Sequence, residues 1–147
     1  MIPRPYLATD LSEWLRMRLA LWPELAHESH PEDDASQWLT RTDGIVLVVE
    51  RPGNTALAGF IEVGERAFAD GCDTSPVAYL EGWYVDPDLR RRGIGTALLK
   101  AAMQWAADHG YREMASDALL ENVDSQRAHE AGGFVEVERA VRYKRAL

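Results

Sequence analysis

Cysteine is nearly absent from this chain of 147 residues: Cys72 is alone, so no intrachain disulfide and no multi-cysteine metal site can form. The four histidines, His27, His30, His109 and His129, show no paired ligand spacing, and no metal is expected. Long uninterrupted apolar runs are missing, which excludes a membrane span, and the start Met1-Ile-Pro-Arg-Pro-Tyr6 lacks the apolar stretch of a secretion signal. A cytoplasmic location with no membrane partner is expected. Positive charge is in deficit, 16 Lys and Arg against 24 Asp and Glu, a formal net charge of −8. Binding to a phosphate backbone needs a basic face, so nucleic acid is a poor partner and a cationic ligand a better one. With 46% hydrophobic and 27% charged residues, the chain reads as one domain over residues 1–147, large enough for its own core.

The acids are unevenly spread. Glu24, Glu28, Glu32, Asp33 and Asp34 fall in one stretch, and Asp70, Asp73, Glu81, Asp86 and Asp88 in another, with no Lys or Arg in either. Charge of one sign focused in a cleft attracts ligands of the opposite sign, whereas the same acids scattered over solvated faces give only solubility. Their convergence in space decides between the two.

Hydrophobic periodicity gives an α/β alternation. Arg4 to Leu7 reads as a short strand, and Thr9 as the cap of a helix whose Leu11, Trp14, Leu15, Arg18, Leu19 and Trp22 form one face ending near Pro23. A second helix is expected from Pro31 to about Arg41, with acids in its first turn. Ile45 to Glu50 and Leu57 to Glu65 read as a hairpin around Arg51-Pro-Gly-Asn54. Beyond a loop from Phe68 to Pro76 comes an apolar strand, Val77 to Val85, and then a helix from about Thr96 to His109. Leu98, Leu99, Ala102, Met103 and Ala106 mark the buried side of that helix, and Gly110 its C-cap. Glu113 to Asp117 reads as a strand, Asn122 to Ala131 as a helix ended by Gly132-Gly133, and Phe134 to Tyr143 as a last strand or bulged hairpin.

Between the Val77 strand and the long helix lies Asp88-Leu-Arg-Arg-Arg-Gly-Ile-Gly-Thr96. Glycines two apart bring the backbone close to an anion, and successive amides at a helix N-terminus favour negative charge, so this loop is built for a pyrophosphate. A P-loop lysine before Thr96 is missing, which argues against nucleotide hydrolysis. Leu98 stands where a dinucleotide fingerprint needs its third small residue. The remaining pattern, Arg90-Arg91-Arg92-Gly93-Ile94-Gly95, resembles the acetyl-CoA pyrophosphate loop of the GCN5-related N-acetyltransferase (GNAT) superfamily. Its competitor is an arginine-rich loop with a glycine-assisted helix start. The order of elements, the Asn122…Ala131-Gly-Gly-Phe134 element and the strand Leu80-Glu-Gly-Trp-Tyr-Val85 extend the resemblance over essentially the whole chain. It implies an α/β (α+β) fold, a mixed central sheet flanked by helices. It also implies acetyl-CoA as cosubstrate, held by Trp83, Tyr84, Val85, Arg90, Arg91, Arg92, Gly93, Ile94, Gly95, Thr96 and Asn122. The strand is expected to splay from its neighbour there, so that the ligand satisfies its free backbone groups.

Four separated segments narrow the resemblance: Trp14-Leu-x-Met-Arg…Leu21-Trp22, Thr74 to Val85, Ala115-Ser-Asp117, and Phe134…Glu136-x-Glu138. Together they resemble the aminoglycoside 6'-N-acetyltransferases, resistance enzymes whose polycationic substrates need carboxylates rather than an apolar pocket. By position, Trp22, His27, Glu81, Asp117 and Glu138 are implied as substrate contacts, with Asp117 or Glu81 as the base that deprotonates the amine. The resemblance also implies a homodimer and direct transfer in a ternary complex. The superfamily's usual Tyr acid is replaced here by His129, which leaves the acid undecided. Each residue has a plainer role open to it: Trp22 as a core staple, Asp117 as a helix N-cap, Glu138 as an edge-strand charge and His129 as a satisfied surface residue. Glu81 is the hardest to explain that way, since an unpaired carboxylate in an apolar strand is costly. The same cofactor motifs would also serve a small-amine or polyamine acetyltransferase, a protein or peptide acetyltransferase, or a CoA-binding module without activity.

Overall fold

The fold was described from a computed structural model covering residues 1–28 and 30–147. Five strands form one mixed sheet in sequence order: β1 (Arg4–Pro5), β2 (Ile45–Glu50), β3 (Leu57–Arg66), β4 (Val77–Val85) and β5 (Met114–Ser116). The first three pairings are antiparallel, while β4 and β5 run parallel, joined through the long helix α3 (Ile94–Asp108). Helices α1 (Leu11–Leu21) and α2 (Pro31–Thr40) lie between β1 and β2 in sequence, and α4 (Val123–Ala131) follows β5.

Strand alternation divides the core in two. Within β2, Leu47 and Val49 join Ile61, Val63, Leu98, Leu99 and Ala102 on the α3 face, while Val46 and Val48 join Trp14, Met17, Phe60 and Tyr84 on the α1 face. Because both faces are covered, β2 and β3 are apolar almost throughout, rather than alternating apolar and polar.

Element positions agree with the sequence reading within a few residues, and the exceptions have local causes. A 3-10 turn, Ala8–Asp10, leads into α1, so Thr9 does not cap it; Asp10 instead accepts from the Leu7 amide at 2.8 Å and from the Arg4 guanidinium at 2.8 and 3.0 Å. Helix α3 begins at Ile94, two residues before Thr96, because Gly93 takes up the left-handed turn that starts it. Met103 is 47% exposed, since the buried stripe Leu98, Leu99, Ala102, Ala106 turns away from it.

The expected last strand does not form. Residues 134–147 are irregular, with Val135, Val137, Val141 and Tyr143 all exposed. The edge on that side of the sheet is β5, only three residues long, so a further strand would find few ladder bonds there. Val137 leans on Gly71, where an added Cβ would meet its Cβ at 2.6 Å. Among the described residues no helix is long and apolar enough to cross a membrane.

Candidate active site

The chain leaves β4 through a 3-10 turn, Pro87–Leu89, in which the Leu89 amide donates to the Asp86 carbonyl at 2.9 Å. Arg90 turns back, its Nε donating to the Val85 carbonyl at 2.9 Å and its guanidinium lying 5.7 Å from the Tyr84 ring centre. Arg91 and Gly93 both adopt positive φ, 61° and 83°. An added Cβ on Gly93 would meet nothing within 4 Å, so the backbone turn, not crowding, requires the glycine. Ala97 donates the first intrahelical bond, to the Gly93 carbonyl at 2.9 Å, so the amides of Ile94, Gly95 and Thr96 precede the ladder and face the loop's open side. Buried Ile94 anchors the turn, while Arg91, Arg92 and Thr96 are exposed. This donor set suits the diphosphate of a CoA thioester.

The acids just before the loop do not oppose that ligand, because they are already neutralised. Asp86, 4% exposed, accepts from Arg16 at 2.9 and 3.0 Å and from Arg51 at 2.8 Å, and Arg51 also grips Asp88. Burial alone would raise the Asp86 carboxyl, but the two guanidiniums outweigh it and hold it below the usual range.

Beside the loop, β4 parts from β5. Their ladder covers only Ala78, Tyr79 and Leu80 against Met114, Ala115 and Ser116. Trp83, Tyr84 and Val85 run on past its end, where the sequence placed the cofactor-binding segment. Trp83 Nε1 donates to the Gly95 carbonyl at 3.1 Å, tying strand to helix. His129 packs edge-on to Trp83 and Phe134 and is fixed at both nitrogens, Nδ1 at 2.7 Å from the Ser125 carbonyl and Nε2 at 2.8 Å from Ser116 Oγ. That network, with Ser116 Oγ also donating to the Leu80 carbonyl at 3.1 Å, gives His129 a structural seat. Asn122 caps α4, accepting from the Ser125 amide at 3.1 Å.

On the opposite face, β3 and β4 slip register: Glu62 pairs with Gly82 and Val63 with Leu80, leaving Glu81 as the extra residue of a β-bulge. A bulge re-aims a side chain that strict alternation would bury. Glu81 thereby lines a cleft of about 320 Å³ shared with Arg18, Trp22, Trp38, Arg41 and Glu62. Trp22 sits there because Gly82 makes room: a Cβ at Gly82 would approach the Trp22 ring to 2.6 Å. Beneath it Glu62, 1% exposed, accepts from Arg18 at 2.7 Å and from Trp14 Nε1 at 3.0 Å, with Arg18 between the Trp14 and Trp22 rings at 5.2 and 5.1 Å.

Glu81 is linked onward to Asp117. Arg66 grips Glu81 through Nε and Nη2 at 3.2 and 3.1 Å and lies 3.4 Å over the Tyr79 ring, whose hydroxyl donates to Asp117 at 2.5 Å. Burial first, and the Asp117 carboxylate second, push the Tyr79 phenol above its ordinary range, keeping it a donor. Asp117 therefore bonds Tyr79 rather than capping a helix. Of the other substrate candidates, His27 is exposed at the end of the 3-10 turn Pro23–His27, whose Leu25 lines the cleft, and Glu138 is exposed on the C-terminal arm. Sequence reasoning missed Arg66, Tyr79, Gly82 and the Glu62–Arg18 pair. Glu62, a lone acid in the apolar run Leu57 to Val63, was the available signal.

The family model described as acetyltransferase (GNAT) family matches residues 11–134, spanning loop, splayed strand and cleft. The chain belongs to this family. This acetyltransferase is an N-acetyltransferase that takes acetyl-CoA as its acetyl donor. It is 41% identical over 147 residues to the aminoglycoside N(6')-acetyltransferase type 1 of Klebsiella aerogenes, covering 98% of this chain and 95% of that one. Among solved structures it is similar to the 6'-N-acetyltransferase AAC(6')-Ih of Acinetobacter baumannii, with a TM-score of 0.89 and 36% identity over 99% of this chain and 97% of that one. It is equally similar to AAC(6')-Iy in complex with the bisubstrate analogue CoA-S-monomethyl-acetylneamine, with a TM-score of 0.88 and 35% identity over 99% and 97%.

Proposed function

We propose that this acetyltransferase acetylates the 6'-amine of aminoglycoside antibiotics, as an aminoglycoside 6'-N-acetyltransferase. The observation that carries the reading is the bulge at Glu81, which puts a carboxylate into a Trp22-walled cleft at the point where β4 runs on to the donor loop. A polycationic sugar asks for that combination, anions for its ammonium groups and an indole face for its ring. Relatives named for this activity support it at 41% identity.

Acetyl-CoA supplies the acetyl group as an activated thioester. In our reading the Ile94, Gly95 and Thr96 amides hold its diphosphate with Arg91 and Arg92 adding positive potential, and the free edge of β4 pairs with its amide-bearing arm. A backbone N–H near Tyr84 or Val85 is aimed where negative charge develops on the acyl oxygen. Trp22 and Glu81 hold the sugar so that its amine reaches attack distance. That amine arrives protonated, so Asp117 or Glu81 takes its proton directly or through one water. His129, fixed at both ring nitrogens, positions Trp83 and Ser116 and transfers no proton; a thiolate leaving group near a thiol pKa of about 8.5 needs little help. The enzyme is read as one catalytic domain, a cytoplasmic homodimer.

The test is direct. Purified protein is mixed with acetyl-CoA and, separately, kanamycin, tobramycin, amikacin, spermidine and a lysine peptide; CoA release is followed and the acetyl position is found by NMR. Kanamycin or tobramycin acetylated at the 6'-amine, faster than spermidine or peptide, is the expected result. Preference for spermidine or the peptide would overturn the antibiotic assignment.

A further inference from the structure

We propose that Arg66 is a resident cation that occupies the amine subsite and sets how much positive charge a substrate must carry to enter it. The proposal rests on the assignment of Glu81 and Asp117 to the substrate amine. Arg66 sits among the groups an incoming ammonium needs: both oxygens of Glu81, the face of Tyr79 and, through the Tyr79 hydroxyl, Asp117. It makes the contacts a substrate cation makes, two charge-assisted bonds and a ring face.

A carboxylate held on both oxygens by a guanidinium fork is a poor acceptor for another cation. For Glu81 to receive an ammonium, the fork opens. Arg66 is placed for that: it is the last residue of β3, and its side chain is 44% exposed, against 32% for Glu81. The Arg18–Glu62 pair in the same cleft is different, with side chains 5% and 1% exposed, and it cannot trade partners with solvent at comparable cost. One pair is a fixed wall and the other a removable plug.

The chemistry of exchange then selects by charge. A monoamine replaces a planar two-point donor with a single point charge and gains little. A polycation brings further ammonium groups, which Asp117 receives once Arg66 has moved, so its net gain is larger. Partly exposed ion pairs of this kind are worth a factor of up to about five in affinity.

The experiment compares wild type, Arg66→Gln and Arg66→Lys by calorimetric titration with glucosamine, 1,5-diaminopentane, spermidine and kanamycin, with acetyl-CoA as control and thermal melting to confirm folding. In Arg66→Gln, glucosamine, diaminopentane, spermidine and kanamycin are each expected to bind about fivefold tighter, because opening the fork costs every amine the same, with acetyl-CoA unchanged. Arg66→Lys, which keeps the charge and loses the fork, is expected to fall between, and it carries the test should Arg66→Gln not fold. Equal or weaker binding of glucosamine and diaminopentane in either variant would overturn the proposal and make Arg66 a permanent orienting residue for Glu81. The readout is the variant-to-wild-type ratio for each amine, so it stands apart from the antibiotic assignment, which fails instead if wild type prefers spermidine or a peptide over kanamycin.

Discussion

The donor loop and the amine cleft lie along the same strand and are built on opposite plans. Asp86 to Thr96 make the loop from one contiguous stretch, whose shape is set by local backbone: a 3-10 turn, a positive φ at Arg91 and Gly93, and a helix start. The cleft draws Arg18 and Trp22 from α1 and its C-terminal end, Glu62 from β3 and Glu81 from β4, is linked through Arg66 and Tyr79 to Asp117 just after β5, and is held by paired charges. In the loop, the acids are neutralised so that bare amides face an anion. In the cleft, the acids are also paired, but one pair is buried and the other exposed, and that difference decides which anion is open to a cation. Burial, not the number of carboxylates, separates a structural charge from a binding one.

If the cleft holds the proton acceptor, Asp117→Asn has the largest effect. Turnover with kanamycin is expected to fall about 10²- to 10⁴-fold with the KM for acetyl-CoA unmoved, as steady-state kinetics would show. A small loss would move the acceptor role to Glu81.

Next in size is the fixed wall. Glu62→Ala takes from buried Arg18 the carboxylate that accepts from it at 2.7 Å and is expected to cost about 3–5 kcal/mol in urea unfolding, while the paired change Arg18→Met with Glu62→Leu recovers most of that stability. If the double variant were as unstable as the single one, the pair would be more than a mutually neutralising unit.

On the loop side, Gly93→Ala forces a Cβ into left-handed backbone at about 1–2 kcal/mol. It is expected to raise the KM for acetyl-CoA and leave the KM for kanamycin unchanged. Equal shifts in both would mean that the two regions are not separable.

The smallest effect concerns pH. The Asp86 carboxyl is held below its ordinary value in the folded protein, so its contribution is present in full above the unfolded pKa of 3.8 and is lost as pH falls through the lower folded value. Melting temperatures of wild type are therefore expected to drop below pH 3.8 more steeply than those of Asp86→Asn.

The same contrast explains what the sequence revealed. The loop was legible because its spacing, Arg90 to Gly95 between strand and helix, is a local pattern carrying its own geometry. Most of the sheet was legible for a similar reason, since runs such as Ile45 to Glu50 and Val77 to Val85 are too apolar to lie anywhere but between two covered faces. Three things were not. The acid-rich segment Ala67 to Leu89 looked unopposed because Arg16, Arg51 and Arg66, which neutralise Asp86, Asp88 and Glu81, come from other elements. The arm after Phe134 carries the alternation of a strand, but alternation alone does not place a segment in a sheet, and residues 134–147 stay irregular with Glu138 exposed. Glu81 was singled out as an acid in an apolar strand, yet the bulge that turns it into the cleft depends on register with Glu62, which one strand alone does not encode.

The division of labour between loop and cleft is tested most directly by calorimetric titration of acetyl-CoA and of kanamycin into wild type, Gly93→Ala and Glu81→Gln. Weaker acetyl-CoA binding in Gly93→Ala alone, and weaker kanamycin binding in Glu81→Gln alone, is the result this account predicts. Loss of kanamycin binding in Gly93→Ala, or unchanged kanamycin binding in Glu81→Gln, would contradict it.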